Sequence, residues 1–336
     1  GVHTDLVGKT VNVTLTDSAS SVVSTTATVL SSGKWAAESA DISALTDGNI
    51  TVAATVSDTA GNSTAASTKT ITLDNAAPTI SIAGTLMGDN IVNKGDDDVV
   101  VISGTTTNVE DAQNVTVTLT DGTTTVTKTV AVSNNAWALS GSDRADISGL
   151  NNGAITVTAN VSDAHGNAAT AATRTITLDN VVPTITIDGT LEGDNYVNSS
   201  EEGDIIISGT SAGLAAGTTI AVKVSGTSGT DVTKNATTNL DGTWSIEMGT
   251  VDGLADGTLT ITANGSDAAG NAAVQASKTV TYDDVAPVIA IDGTLEGDDK
   301  VSSSEDGHVV VTGTVTVSGV HTDLVGKTVN VTLTDS

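Results

Sequence analysis

The side chains in this sequence whose placement could do chemistry are carboxylates, because they return in the same columns of a repeating chain. Asp74, Asp179 and Asp283 form one column, and Asp89, Asp194 and Asp298 a second. Asp58, Asp163 and Asp267 form a third, each followed four residues on by Asn62, Asn167 or Asn271. Asp96, Glu201 and Glu305 keep an acid while its length varies, as do Asp97, Glu202 and Asp306, and Asn90, Asn195 and Asp299 keep an oxygen donor. Carboxylates gathered at one place raise one another's pKa unless a cation lies among them. Calcium suits this donor set, since it takes about 6 to 8 oxygen ligands at roughly 2.3–2.6 Å and tolerates irregular geometry. Zinc and copper want His or Cys; Cys is absent, and His165 and His308 share no column with each other or with His3 and His321. The competing reading is that loop Asp and Asn are ordinary turn formers, and Asp-x-x-Gly-Asn is a turn in its own right. The loop carrying Asp146 or Asp252 fits both. With no EF-hand loop and no Gly-rich nonapeptide run, the expectation of calcium rests on clustering alone.

The elements that must position these acids are set by a long period. Asp179-Asn180-Val181-Val182-Pro183 recurs as Asp74-Asn75-Ala76-Ala77-Pro78 and as Asp283-Asp284-Val285-Ala286-Pro287, 105 positions from Pro78 to Pro183 and 104 from Pro183 to Pro287. Solenoid units run about 20 to 50 residues, so units of this size can each bury a core. The chain has 3 prolines, all at these joints. Proline fixes φ and extends the residue before it, so the joints should be stretched and stiffer than a Gly/Ser tether.

Within each unit, apolar residues alternate with polar ones, as in Val11, Val13 and Leu15 between Asn12, Thr14 and Thr16. Alternation of period two marks half-buried strands. In residues 1–78 strands are expected at 11–15, 24–30, around Trp35, at 50–56 and at 70–73. Residues 79–183 should carry seven, near 79–83, 99–105, 113–120, 124–132, 136–140, 154–161 and 172–178, and residues 184–287 repeat the plan. Seven short strands in about a hundred residues with turn residues between them fit an immunoglobulin-like β-sandwich. The fold class is therefore all-β, tandem immunoglobulin-like β-sandwich domains joined end to end by short Asp/Pro linkers. Residues 1–78 correspond to strands three to seven of a unit, and residues 288–336 to strands one to three. Residues 319–336 repeat residues 1–18 identically, so the two partial units are expected to complement each other between molecules as a split domain.

Strand parity places the loops. Those after strands one, three and five lie at one pole and those after two, four and six at the other. The acidic loop of residues 193–204 is expected beside the strand-seven exit at Asp179. It should meet the Asp267–Asn271 loop of the following unit across the joint.

Composition excludes several functions. A net charge of −28 and a pI near 4.1 argue against nucleic acid and anionic membranes, which need basic patches. No apolar run is long enough to span a bilayer, so this segment should not insert into a membrane. Hydrophobic residues at 38% in strict alternation argue against a disordered acidic chain. Trp35, Trp137 and Trp244, one per unit in the fifth strand, read as core anchors. Thr-rich strands such as Thr116, Thr118 and Thr120 invite a sugar- or ice-binding reading, but Thr also suits the solvent face of any strand. No nucleophile, base and orienting group can be assembled, so an enzyme is not expected.

Three motifs carry a family resemblance. Ser-Asp-x-x-Gly-Asn at 57–62, 162–167 and 266–271 is followed by Asp-Asn-x-x-Pro-Thr-Ile at 74–80 and 179–185, and then by Asp-Gly-Thr-Leu-Glu-Gly-Asp at 188–194. In this order they resemble the bacterial Ig-like extender repeats of giant biofilm-associated and repeats-in-toxin adhesins, ice-binding adhesins among them. The resemblance implies an extracellular stalk on the bacterial surface, exported by a type I system, anchored elsewhere at the outer membrane, and holding several Ca2+ ions per repeat. The joint Asp and the Asp of each following loop then carry over as ligands, as do Asp188 and Asp292, whose place in the first copy is taken by Ala83. Extracellular calcium sites have affinities of roughly 10⁻⁴ to 10⁻³ M, too weak to fill in the cytosol, so folding is expected mainly after export.

Overall fold

The computed structural model describes residues 4–304, 306–317, 324 and 326–335. Its strands follow the alternation. Residues 1–78 hold β1 (Thr10–Thr16), β2 (Val22–Thr28), β3 (Gly48–Val56) and β4 (Ser67–Leu73), one antiparallel sheet of order β2-β1-β3-β4. Residues 79–183 hold β5 (Thr79–Ile82), β6 (Ile91–Asn93), β7 (Ile102–Thr107), β8 (Asn114–Thr120), β9 (Thr125–Ala131), β10 (Ala136–Leu139), β11 (Gly153–Asn160) and β12 (Ala172–Asp179). Residues 184–287 hold β13 (Thr184–Ile185), β14 (Tyr196–Asn198), β15 (Ile206–Ala212), β16 (Thr219–Ser225), β17 (Val232–Thr237), β18 (Thr243–Glu247), β19 (Gly257–Asn264) and β20 (Ala276–Asp283), and β21 (Val288–Ile291) and β22 (Gly313–Thr316) follow.

The chain forms two compact units, residues 1–91 with 98–178, and residues 92–97 with 179–336. In the second, β13-β15-β18 forms one sheet and β14-β20-β19-β16-β17 the other. The inward residues of these eight strands, among them Ile207, Ile220, Val222, Trp244, Leu259 and Ile261, make one buried cluster. Alternation is the cause: in β16 the residues at 220, 222 and 224 are buried while their neighbours are not, and burial of such side chains stabilises by roughly 1.5–3 kcal/mol each. The first unit repeats the plan, with β10-β7-β5 as one sheet and β12-β11-β8-β9 in the other.

Each complete sandwich carries a tight seat at its tryptophan. Gly104 pairs with Trp137 and Gly209 with Trp244 across the ladder. A Cβ on Gly104 would lie 1.8 Å from the Ser81 carbonyl oxygen and 2.7 Å from the Trp137 ring; on Gly209 it would lie 1.9 Å from Thr186 O and 2.7 Å from Trp244. Glycine is required there because backbone and indole fill the space of a side chain. Trp137 and Trp244 are buried core anchors, as their sequence positions imply.

Three features depart from the sequence expectations. The segment around Trp35 forms no strand and its indole is exposed, because the strand that pairs with it in the complete repeats has no counterpart in residues 1–78. Residues 329–335 likewise form no strand, since the β2 and β3 equivalents that would flank them are not in that part of the chain. Finally, the loop after the first strand contains a short extra strand; β14 runs parallel to β20 with Asn198 opposite Asp283, three residues being too few for alternation to register.

Candidate metal centres at the joints

Every Asp-x-x-Gly-Asn loop folds the same way. The Asn amide N–H donates to one carboxylate oxygen of the Asp and its Nδ2 donates to the other, at 2.8 and 2.8 Å for Asp58–Asn62, 2.8 and 2.8 Å for Asp163–Asn167, and 2.9 and 2.9 Å for Asp267–Asn271. The turn is self-sufficient, as the turn-former reading requires. Hydrogen bonds from Asn62, side chain first and then backbone, hold the Asp58 carboxyl below its ordinary value. Burial pushes Asp163 the other way, but donors from Asn167, His165 and Gly166 overcome it and the net shift is downward.

The turns do more than close on themselves. Asn167 Nδ2 also donates to the Asp74 carbonyl at 3.1 Å, and Asn271 Nδ2 to the Asp179 carbonyl at 2.8 Å. The loop after the sixth strand thus reaches the strand exit that precedes its own repeat, as strand parity predicts.

At the first of these joints, Asp74 faces His165, with Nδ1 3.0 Å from Asp74 Oδ2 and 3.9 Å from Glu110 Oε1. Asp74, Glu110 and His165 each offer a ligand atom within 4.8 Å of the others. Glu110 Oε2 also accepts the Ala164 N–H at 2.8 Å. Two carboxylates and the Asp74 carbonyl suit a hard cation; the imidazole does not, and it presently sits as a donor against Asp74.

The second joint is built differently. Asp97 is 2% exposed and accepts the Asn180 Nδ2 at 2.9 Å and the Lys94 ammonium at 3.0 Å. Asn271, also buried, takes the Lys94 N–H on its Oδ1 at 2.6 Å. The acidic loop here is therefore residues 93–97. The expectation that residues 193–204 lie beside Asp179 is corrected: the β14–β20 pairing puts that loop beside Asp283. There Tyr282, fully buried, donates its hydroxyl to Glu202 Oε2 at 2.5 Å and lies 3.2 Å from Asp284. Burial first, then the hydrogen bonds and charge of those carboxylates, push the phenol well above its ordinary pKa.

Other acidic columns are placed as turns. Asp89, Asp194 and Asp298 accept the amide two residues on, and Asn90, Asn195 and Asp299 accept that of Leu86, Leu191 and Leu295. Glu201 accepts the Asn198 N–H, Asp188 accepts Ser208 Oγ, and Asp283 accepts the Val285 N–H. Asp96 is half-buried beside Asp97, and Asp292 and Asp306 are exposed. Glu305 lies outside the described residues. Glu110, His165, Lys94 and Asn180 escape a reading by columns because three of them are not repeated; Asn180 alone carried a signal, as the second residue of the Asp-Asn joint motif.

Residues 33–140 match the bacterial Ig-like domain (group 3) family. No curated protein sequence matches. Among solved structures, a bacterial immunoglobulin-like domain from the M. primoryensis ice-binding adhesin is 30% identical, with 98% of that domain and 30% of this chain covered at a TM-score of 0.23. A tetra-tandem repeat from the extending region of a large adhesion protein is 27% identical over 94% of this chain and 82% of its own, TM-score 0.31. A Ca2+-stabilized adhesin with which an Antarctic bacterium reaches out and binds ice is 27% identical over 93% of this chain and 75% of its own, TM-score 0.41.

Proposed function

The chain belongs to the bacterial Ig-like domain family, and on that premise we propose that it is an extender segment of a bacterial cell-surface adhesin. It is a non-enzymatic stalk that carries a distal binding domain away from the cell, with calcium stiffening its joints. The observation that carries this reading is the repeated reach of Asn167 and Asn271 to the carbonyls of Asp74 and Asp179, which gathers acidic loops around each strand exit. In this reading calcium takes Asp74, Glu110 and the Asp74 carbonyl at the first joint, displacing His165. At the next it takes Asp96, Asp97 and the neighbouring carbonyls, in competition with Lys94. Bound calcium supplies a charge that neutralises these acids and fixes ligands from adjoining segments in one arrangement; the chain's own turns hold the donors in place. Asp194, Glu201, Glu202 and Asp283 form the equivalent set after the next repeat.

The sugar- or ice-binding reading draws no support from the Thr-rich faces. In β8 Thr116, Thr118 and Thr120 are half-buried, and the Thr120 hydroxyl donates to the Thr124 carbonyl at 2.7 Å and accepts from Thr125 at 3.1 Å; on the other sheets hydroxyls pair as Ser81–Thr105 at 2.8 Å and Thr186–Thr210 at 2.7 Å. Calcium titration calorimetry on the chain and on Asp74→Asn and Asp97→Asn tests the site assignment: each substitution should remove one binding event. Unchanged stoichiometry in both variants would overturn it.

A further inference from the structure

The repeats treat the acid that faces the linker in two ways. In residues 79–183 that acid is Asp97, which is 2% exposed and accepts two donors on the same oxygen, the Lys94 ammonium at 3.0 Å and the Asn180 Nδ2 at 2.9 Å. In residues 184–287 its column holds Glu202, which accepts the Tyr282 hydroxyl at 2.5 Å. Three columns change together between the two: Lys94 becomes Ser199, Asn180 becomes Asp284, and Leu178 becomes Tyr282. The first arrangement supplies a cation and an amide. The second supplies a neutral phenol, whose single proton is set between two carboxylates, since Asp284 also lies 3.2 Å from the hydroxyl. Carboxylates gathered so closely call for a cation, and of these two arrangements only the one with Lys94 brings its own.

The backbone places Lys94 for this role. Its N–H donates to Asn271 Oδ1 at 2.6 Å, while Asn271 Nδ2 donates to the Asp179 carbonyl at 2.8 Å. One lysine therefore ties the 93–97 loop to the linker at Asn180 through Asp97, and to the Asp267–Asn271 turn through its amide. Its side chain is nonetheless 52% exposed. The ammonium can swing into solvent while Asp97 stays where it is, as a tethered counter-ion must if a metal is to replace it.

We propose that Lys94 is a built-in cation at the Asp179 joint and sets the calcium threshold there. At low calcium the ammonium neutralises Asp97 and holds the 93–97 loop on the linker. Calcium enters when its concentration is high enough to displace the ammonium, and Asp96 and Asp97 then bind it. The affinity of a calcium site follows the count of charged ligands; Lys94 lowers the negative charge of this joint, and Asp284 raises that of the set around Glu202. With Ser199 in the lysine column, that set has no substitute for the metal.

The inference rests on the reading of the joints as calcium sites, and hydrogen exchange of the full chain across a calcium titration tests it. In chelator, segment 92–97 of the parent should stay protected, whereas segment 196–204 should exchange faster than it does in calcium. Lys94→Ser should speed exchange of segment 92–97 in chelator about tenfold or more, the worth of a charge-assisted bond to a buried carboxylate. Millimolar calcium should restore the protection, at a midpoint about tenfold or more below the calcium concentration at which the parent segment responds. Lys94→Met, which keeps the length of the side chain and loses its charge, should behave like Lys94→Ser. Restoration by calcium separates a cation from a packing role, because an ion does not replace a lost aliphatic contact. Parental protection of both variants in chelator would overturn the proposal, as would protection that is lost and not restored while segment 196–204 responds to calcium. No calcium response in either segment, in parent and variants alike, would refute the calcium reading of the joints and the proposal with it.

Discussion

Replacing Asn271 by alanine isolates the joint from the turn. Asn62 and Asn271 make the same two bonds to their own Asp, but Asn271 adds two that Asn62 lacks, from Nδ2 to the Asp179 carbonyl at 2.8 Å and from the Lys94 N–H to Oδ1 at 2.6 Å. Each such neutral bond contributes about 1 kcal/mol net, and more where truncation leaves a buried partner unpaired, so Asn271→Ala should cost about 2 kcal/mol beyond Asn62→Ala. The readout is hydrogen exchange at the Lys94 amide, whose acceptor the substitution removes; about 2 kcal/mol corresponds to roughly 30-fold faster exchange. Asn62→Ala should leave that amide unchanged. Equal protection of Lys94 in parent and Asn271→Ala would refute the reasoning, because the joint would then be held by something other than this side chain.

Three further outcomes follow from the same geometry. Gly209→Val places a side chain 1.9 Å from the Thr186 carbonyl and should destabilise residues 184–287 by more than about 3 kcal/mol in urea unfolding, whereas Gly189→Ala, with nothing within 4 Å, should be silent. Asp163 is held below its ordinary pKa in the folded chain. Its contribution is thus fully present above the unfolded carboxyl pKa of about 3.9 and is lost as pH falls through the lower folded value. The melting-temperature gap between parent and Asp163→Asn should be widest at neutral pH and close in that acid range; a gap of equal size throughout would count against it. Lys94→Ser removes the internal cation from Asp97, so calcium should raise the melting temperature of this variant more than that of the parent.

The sandwiches were legible because they depend on alternation, which short strands of Val, Ile and Leu display directly, and on the spacing of the joints. What failed depended on partners distant in sequence. Trp35 reads as a strand residue like Trp137 and Trp244, yet a strand exists only where a neighbour supplies hydrogen bonds, and residues 1–78 contain none for it. Tyr196–Asn198 is too short to show a period, and without that parallel pairing the acidic loop 193–204 is assigned to Asp179 instead of Asp283. Repetition was a sound guide to the residues that build turns, Asp58, Asp163 and Asp267 above all. It was a poor guide to what sets one joint apart from another: Glu110, His165 and Lys94 occur once each and carry no repeat signal, although they supply the charge around Asp74 and Asp97.

The central claim is that calcium stiffens a stalk, and small-angle scattering with parallel thermal melts in millimolar calcium, in magnesium and in chelator tests it most directly. The account predicts that calcium alone lengthens the particle and raises its melting temperature, since magnesium holds its waters and demands a near-octahedral site. Identical scattering and melting in all three conditions would contradict it, leaving the repeated carboxylates as turn formers that need no metal.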